Sequence, residues 1–358
     1  MEKAFLALVR LGIGNAATEK LPDQIDWDEV ETLAEKQGVL GVLYDGALST
    51  DLLPLTVKLR WMGKVMQGYE QRYALYRKAV ADLAAWYHAH GYRMMVLKGM
   101  TCGLDWPKPE HRPYGDIDIW LFGRQQSADK EMFKEFKKFE GFKIDNSHHH
   151  HTVFKWQGFT VENHYDFINV HHQKSNVELE EVFKKLAFQD ASSIFPLPSR
   201  ILLPSPNLHA LFLIKHLASH FAADRITLRH VLDWGFFVKR QGEKVDWGWL
   251  LVELKRFGML KLFDVVNTIC VEDLGFDKGH WSKIDSWGVD ANLKQRVLDD
   301  IISPGFSEKA PKQVWKRIPF RYRRWRANEW KHELCYNESM CSSFWSGVKN
   351  HLLKPASI

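Results

Sequence analysis

Cysteine is scarce in this 358-residue chain, and its four copies, at positions 102, 270, 335 and 341, show no Cys-x-x-Cys spacing. A disulfide framework or a thiolate zinc site requires closer pairing, so this pattern favours reduced thiols in a cytoplasmic protein. Long apolar runs are also missing, because no segment reaches the roughly 18 apolar residues of a membrane-spanning helix. The amino-terminal apolar run covers only positions 4–9 before Arg10, which is too short for a convincing signal peptide. We therefore expect neither secretion nor membrane insertion.

A large excess of charge of either sign is absent as well. Lys and Arg total 49 against 44 Asp and Glu, and the formal net charge of +5 is too small to argue for nucleic-acid binding by itself. The strongest basic feature is the segment 316–326, in which arginines are interleaved with aromatic residues. Such a segment suits a nucleic-acid backbone, an anionic membrane surface or the protein's own acidic face. We favour packing against the protein itself, or a solvated face, over nucleic-acid binding.

The remaining composition is that of an ordinary globular chain, with 45% hydrophobic and 26% charged residues and length enough for two or three domains. Helical periodicity dominates residues 1–90, and a mixed pattern of strands and helices follows to about residue 170. From there the pattern is helical again. We therefore predict an α+β fold in which a small mixed β-sheet, residues 91–170, is flanked by a helical amino-terminal region, 1–90, and a helical carboxyl-terminal domain, 171–358.

The most informative stretch runs from Val96 to Leu121. The segment Val96-Leu97-Lys98-Gly99-Met100 predicts a strand and a tight glycine turn into a short helix, and Asp116-Ile117-Asp118-Ile119 predicts a second strand. Side chains alternate along a strand, so Asp116 and Asp118 share one face while the isoleucines point into a core. Two aligned carboxylates form half of a site for a divalent cation such as Mg²⁺, which takes oxygen ligands and keeps positions for substrate phosphates.

A third carboxylate lies on another predicted strand, 159–165, after a predicted helix near 127–140. Thr160, Glu162 and His164 alternate along that strand and therefore share one face. Three acids on two neighbouring strands can hold two metal ions. For His164 three roles stay open: it orients Glu162, contacts the substrate, or is a structural histidine.

The chain resembles the DNA polymerase beta-like nucleotidyltransferase superfamily over residues 93–165, and more closely an uncharacterised bacterial nucleotidyltransferase family. The resemblance depends on Leu97-Lys98-Gly99, on Arg112 followed by Asp116-Ile117-Asp118-Ile119, and on Val161-Glu162-Asn163-His164. It implies a small mixed sheet that carries the site and a nucleoside triphosphate as substrate. It also implies two Mg²⁺ ions, or Mn²⁺ in their place, held by the catalytic carboxylates Asp116, Asp118 and Glu162.

One departure from the superfamily pattern lies at the phosphate turn, where Lys98-Gly99 replaces the usual Gly-Ser. The resemblance implies that Lys98 and the backbone amides at Gly99 bind phosphate instead, because free N–H groups at a helix start favour an anion. Arg112 is the candidate triphosphate clamp, since a guanidinium recognises phosphate bidentately, and a simple ion pair is the alternative. Weaker similarity to the family in the carboxyl-terminal helices implies that these helices line the cleft, and it gives three candidate substrate-facing residues, His216, His220 and Asp233.

Clustered histidines raise a second metal-binding hypothesis. Within the run His148–His151 successive side chains diverge, so at most two can serve one ion, and we favour a substrate-facing loop or a strand entrance. His216 and His220 lie four residues apart on one face of a predicted helix, but a zinc site there lacks an identified third ligand.

The sequence thus predicts a metal-dependent nucleotidyltransferase, in which an acceptor attacks the α-phosphate of a nucleoside triphosphate and pyrophosphate leaves. Asp116 and Asp118 hold both metal ions, and Glu162 completes the site and helps to activate the acceptor. A small hydroxylated or aminated acceptor is favoured, with a protein or an RNA end as alternatives, because the family does not identify it. The alternative function is a catalytically silent, nucleotide-binding regulatory module.

Overall fold

The computed structural model describes residues 2–338 apart from 16–20, 23, 140, 171, 172, 174, 190–200, 285–287, 304–310 and 312. The chain divides into two compact units. The helical unit comprises residues 1–71, 105–113 and 213–337, and the sheet unit comprises residues 72–104, 114–212 and 338–358. The mixture of helices with one small sheet confirms the predicted α+β fold class. The division into regions 1–90, 91–170 and 171–358 stays a prediction.

The first helices of the helical unit are α1 (Glu2–Gly12), α2 (Trp27–Gln37), α3 (Leu40–Leu48) and α4 (Leu55–Val65). Local signals fix both ends of α2. The Asp26 side chain accepts a hydrogen bond from the Glu29 amide at its start, and Gly38 adopts the left-handed conformation at its end.

The sheet unit begins with the long helix α5 (Gln71–Ala89), which leads to a five-stranded sheet. In chain order its further elements are β1 (Met95–Val96), α6 (Met100–Gly103), β2 (Ile117–Trp120), α7 (Gln125–Phe136), β3 (Ile144–Asp145), β4 (His151–Trp156), β5 (Phe159–His164) and α8 (Ser175–Gln189). The strand order is β1-β2-β5-β4-β3, with β2 and β5 parallel and the other neighbours antiparallel. The helix predicted near 127–140 is α7, and the strand predicted over 159–165 is β5.

The core of the sheet unit lies between α5, α7 and one face of the sheet. Tyr76, Val80, Leu83 and Tyr87 recur along α5 at the spacing that puts them on one side of a helix, and all four are fully buried. They belong to one apolar cluster with residues of the central strands, namely Ile117, Ile119, Phe154 and Val161. This apolar face leaves the opposite face of β2 and β5 to polar side chains.

The chain continues through α9 (Pro206–Ala223), within which the division between the two units falls. The later helices belong to the helical unit, and they are α10 (Leu228–Gln241), α11 (Trp247–Arg256), α12 (Leu260–Thr268), α13 (Ala291–Ile302), α14 (Val314–Ala327) and α15 (Glu329–Cys335). Among the described helices, none combines the length and the apolar character needed to cross a membrane.

Candidate active site

Strands β2 and β5 bring two carboxylates side by side. The strands run parallel in a register that pairs Asp118 with Glu162. Their chain neighbours Ile117, Ile119 and Val161 are fully buried in the core on the other face. Side-chain alternation therefore directs both acids to the polar face of the sheet. The predicted convergence of these acids depends on this parallel register.

Two cationic side chains flank Asp118, which is only 1% exposed. The Lys98 Nζ lies 3.0 Å and the His164 Nε2 lies 3.2 Å from the same oxygen, Asp118 Oδ1. Burial alone would favour a neutral carboxyl group, but the charges of Lys98 and His164 outweigh it and hold the pKa of Asp118 well below its usual range. Asp118 is therefore ionised at neutral pH.

His164 is charged by the same arrangement. Burial disfavours an imidazolium, yet the hydrogen bond to Asp118 and the nearby Glu162 Oε2, 3.6 Å from Nε2, raise the pKa of His164 to about 9. In the same way, partial desolvation disfavours the charged form of Lys98, but Asp118 and Glu162 outweigh it and raise the pKa of Lys98. The polar face of the sheet thus holds acids and bases in a tightly paired cluster.

Asp116 lies just before β2 and at the solvent-exposed edge of this cluster. Its backbone carbonyl accepts a hydrogen bond of 3.1 Å from the Tyr76 hydroxyl. Partial desolvation raises the pKa of the Asp116 carboxyl group, and the nearby charges of Glu162 and Asp118 raise it further, while a hydrogen bond from Thr160 opposes them. A positive ion at this edge would relieve that repulsion between carboxylates.

The phosphate turn predicted at Lys98-Gly99 follows β1 and precedes the short helix α6. Gly99 has a φ of 71°, and an added Cβ would lie 2.4 Å from the Tyr76 hydroxyl oxygen. The position therefore requires glycine on two counts, backbone conformation and space. The Leu97 amide donates to the Asp118 carbonyl at 3.0 Å, which aligns the turn with β2 and places Lys98 beside the acids.

Two groups of side chains in the described part of the chain are close enough together to hold a metal ion. One consists of Asp118, Glu162 and His164, and the other of His150, His151 and His164, with the ligand atoms of each group within 4.8 Å of one another. Asp116 belongs to neither group. Its predicted role as a metal ligand therefore stays a prediction, whereas the closeness of Asp118 and Glu162 is a feature of the fold.

Arg112 and Asp233 lie in the helical unit and form a buried ion pair. Arg112 donates from Nε to Asp233 Oδ1 at 2.8 Å and from Nη2 to Asp233 Oδ2 at 2.9 Å. A third donor, Nη1, reaches the Pro113 carbonyl, and the Trp106 indole donates to Asp233 Oδ1 at 2.8 Å. The bidentate face that was predicted to clamp a triphosphate is thus directed at a carboxylate. Phosphate binding by Arg112 stays a prediction.

His216 and His220 also lie in the helical unit, on α9, with ring centroids 4.3 Å apart. His230, from the first turn of α10, joins them, with its ring centroid 5.9 Å from that of His216 and 6.1 Å from that of His220. The sequence did not identify this third histidine, since only tertiary packing of α10 on α9 brings it there. The proposed substrate-facing role of His216, His220 and Asp233 is not tested by these contacts.

A buried polar network explains Asn163, a fully buried polar residue that alternates with Glu162 and His164 along β5. Asn163 Nδ2 donates to Asp129 Oδ1 at 2.8 Å, and Thr152 Oγ1 donates to Asp129 Oδ2 at 2.7 Å. Asp129 comes from α7, which covers this part of the sheet. A single sequence contains no signal that pairs these three polar residues.

The basic aromatic segment 316–326 forms most of α14. Arg324 donates to the Ala223 carbonyl at 2.8 Å and lies 3.3 Å from Asp224, while Arg326 pairs with Glu329 at 2.7 Å. These contacts pair two of the segment's arginines within the protein, and the role of the segment stays a prediction. Trp315 and Tyr322 are nevertheless largely exposed.

Comparison with known proteins identifies the family of this chain. A family model for uncharacterised nucleotidyltransferases matches residues 23–274, well over half of the chain, and the chain belongs to that family. The family indicated by the sequence motifs is therefore confirmed, while its place in the wider superfamily stays a prediction. Neither the curated proteins nor the solved structures gave a match. The match includes every predicted site residue but not α14.

Proposed function

We propose that this chain is a metal-dependent nucleotidyltransferase that moves a nucleoside monophosphate from a nucleoside triphosphate to an acceptor. The observation that carries the proposal is the juxtaposition of Asp118 and Glu162 on two parallel strands, with ligand atoms within 4.8 Å. The family assignment supports transfer of a nucleotidyl group, and it leaves the metal, the nucleotide and the acceptor open. The active surface is proposed to be the polar face of β2 and β5.

The donor set suits a hard divalent cation such as Mg²⁺, with Mn²⁺ as a substitute. Asp118 and Glu162 offer carboxylate oxygens, which these ions prefer, and we propose that Asp116 adds a third at the exposed edge. The low pKa of Asp118 keeps one ligand ionised at every physiological pH. When bound, two such ions would neutralise phosphate charge and stabilise the negative charge on the attacking and leaving oxygens.

Lys98 is proposed to exchange a carboxylate for a phosphate partner when the substrate binds. Its ammonium group lies 3.0 Å from Asp118 and so forms an ion pair with a carboxylate that is proposed to bind a metal ion. Because like charges repel, occupation of that carboxylate by a divalent ion would weaken the ion pair. The flexible four-carbon stem then allows the ammonium group to reach the triphosphate, with the amides of the Gly99 turn as neighbours.

His164 is proposed to act as a positioning residue. Its Nε2 contacts Asp118 at 3.2 Å and Glu162 at 3.6 Å, so one imidazole spans both carboxylates. It would hold the two acids in a fixed orientation before any ion arrives. For the acceptor we propose a small molecule with a hydroxyl or amino group, and a modified protein or an extended RNA end are the other outcomes.

Release of pyrophosphate tests this proposal. The tag-free protein is incubated with each nucleoside triphosphate and Mg²⁺, alone and with panels of hydroxylated and aminated small molecules, proteins and RNA. We expect pyrophosphate together with a product heavier by one nucleoside monophosphate. Asp118→Asn should abolish this turnover, whereas Asp145→Asn, at an exposed position on β3 of the same sheet, should not.

Two results would count against the proposal. Equal turnover by wild type and Asp118→Asn would show that the paired acids are not the active site. Binding of the Mg²⁺–nucleotide complex in titration calorimetry, with no pyrophosphate from any acceptor class, would favour the silent nucleotide-binding module.

A further inference from the structure

Three imidazoles lie close together at the end of the sheet where β4 begins. His150 and His151 have ring centroids 4.3 Å apart, and these lie 5.7 Å and 5.3 Å, respectively, from the ring centroid of His164. One ring nitrogen of each lies within 4.8 Å of the others. The proposed nucleotidyl transfer uses the acids around His164 and gives His150 and His151 no role.

The fold holds this cluster on ordered backbone. Strands β4 and β5 are antiparallel, and His151 lies directly opposite His164 in their register, which puts both side chains on the same face at short distance. His150 precedes the strand, and its carbonyl accepts a hydrogen bond of 2.8 Å from the Tyr165 amide. The consecutive run of histidines, which cannot converge by itself, thus converges on a histidine from the neighbouring strand.

Buried ring nitrogens provide an independent observation. His151 is 7% and His164 is 6% exposed, and the Nδ1 of each has no hydrogen-bond partner among the described residues. A buried polar nitrogen without a partner costs free energy, so these two atoms favour a ligand that the described residues do not supply. Two such nitrogens next to a third imidazole point to an electron-pair acceptor.

We propose that His150, His151 and His164 form a binding site for a transition-metal dication of the Zn²⁺ class. Imidazole nitrogen suits Zn²⁺ and its neighbours in the transition series, whereas Mg²⁺ prefers oxygen. Three histidines with a further position for water or substrate form a known type of zinc site. The ion would be distinct from the ions proposed at the carboxylates.

The environment of His164 fits this assignment at both ring nitrogens. Its Nε2 lies 3.2 Å from Asp118 Oδ1, so Nδ1 is the nitrogen that is left to bind the ion, which would displace the proton that Nδ1 carries in the imidazolium. A metal-binding histidine commonly donates its second ring N–H to a carboxylate, which fixes the tautomer and raises the basicity of the ligand. Asp118 supplies that carboxylate. The two sites would therefore be linked through one imidazole, with Asp118 on one side and the histidine cluster on the other.

Metal titration of the full chain, prepared without a histidine tag, tests the proposal. Co²⁺ is used for its visible absorption and Zn²⁺ for competition and calorimetry. We expect one Zn²⁺ per chain, displacing Co²⁺ from a nitrogen-ligated site. His151→Ala and His150→Ala should each weaken binding by about tenfold or more. His149→Ala is the matched control, because it removes a histidine of the same run that lies outside the cluster.

Several results would overturn the proposal: no Co²⁺ or Zn²⁺ binding by the wild type, unchanged affinity in both His150→Ala and His151→Ala, or an equal loss in His149→Ala, which would indicate unspecific binding by the run. His150 is half-buried at the strand entrance, so its variant gives an answer even where His151→Ala does not fold. Asp116→Asn separates the two sites. It should abolish nucleotidyl transfer and leave Zn²⁺ affinity unchanged, so failure of either proposal can be recognised without the other.

Discussion

The ion pair between Arg112 and Asp233 provides a prediction that separates a structural from a substrate-binding role. Both residues are buried, at 5% and 4% exposure, and two N–H···O contacts of 2.8 and 2.9 Å join them. Arg112→Met would leave the Asp233 carboxylate buried without its cation. Breaking one partner of a buried pair costs roughly 3–5 kcal/mol of unfolding free energy, and we expect a loss of that size.

A second variant, Asp233→Asn, removes the carboxylate charge that Arg112→Met leaves without a partner. Asp233→Asn keeps one oxygen as acceptor for the Trp106 indole, which donates at 2.8 Å, but it removes the negative charge opposite Arg112. Since the double variant Arg112→Met/Asp233→Asn buries no isolated charge at this pair, its loss should be smaller than the sum of the single losses. The coupling free energy should approach about 3 kcal/mol, the upper range for residues in contact.

Urea denaturation followed by tryptophan fluorescence gives these free energies, and titration of the Mg²⁺–nucleotide complex gives the ligand affinity. Arg326→Met is the control, because Arg326 pairs with Glu329 at the surface and should contribute less than about 1 kcal/mol. We expect Arg112→Met to lose stability. A stable Arg112→Met protein that binds nucleotide poorly would refute this reasoning and establish the triphosphate clamp.

Three further predictions concern the sheet unit and can be measured by urea denaturation. Gly99→Ala should destabilise the fold by about 1–3 kcal/mol, because φ is 71° and the new Cβ has no room. The control Gly63→Ala, in open space within α4, should stabilise the fold by roughly 0.5–1 kcal/mol. Equal effects of the two substitutions would contradict the account of the turn. Burial raises the pKa of Glu180 to about 7 from 4.5, so the folded chain keeps a proton that the unfolded chain loses, and this group's contribution to stability should fall by roughly 3 kcal/mol between pH 4.5 and 7.5. Glu180→Gln should remove that slope, and an unchanged slope would contradict the assignment. Asn163→Leu should cost about 1–3 kcal/mol because the buried Asp129 loses a donor at 2.8 Å, and a neutral effect would show that the network is dispensable.

Local patterns in the sequence were sufficient for strands β2 and β5 and for the faces of their side chains, but not for β4. The alternation around Asp116 and Asp118 and around Glu162 and His164 predicted which residues share a surface, because the period of a strand is two. The helix near 127–140 followed from the helical period of 3.6 residues, and the strand at 159–165 from the strand period of two. These inferences concern neighbours in the chain, and short-range sterics determine them.

Pairings between distant residues could not be predicted in the same way. The parallel register that sets Asp118 beside Glu162, and the antiparallel register that sets His151 opposite His164, depend on how strands pair across the sheet. Arg112 meets Asp233, which lies 121 residues along the chain, and Lys98 turns toward Asp118. A guanidinium or an ammonium group pairs equally well with carboxylate and phosphate, so residue type alone did not choose between them.

The most direct test of the central claim is a crystal structure with Mn²⁺ and a non-hydrolysable nucleoside triphosphate analogue, measured at a wavelength where manganese scatters anomalously. The account predicts anomalous density bound by Asp118 and Glu162, with the triphosphate adjacent and Lys98 in contact with its phosphates. Anomalous density and nucleotide located elsewhere on the chain, with Lys98 still paired to Asp118, would contradict it.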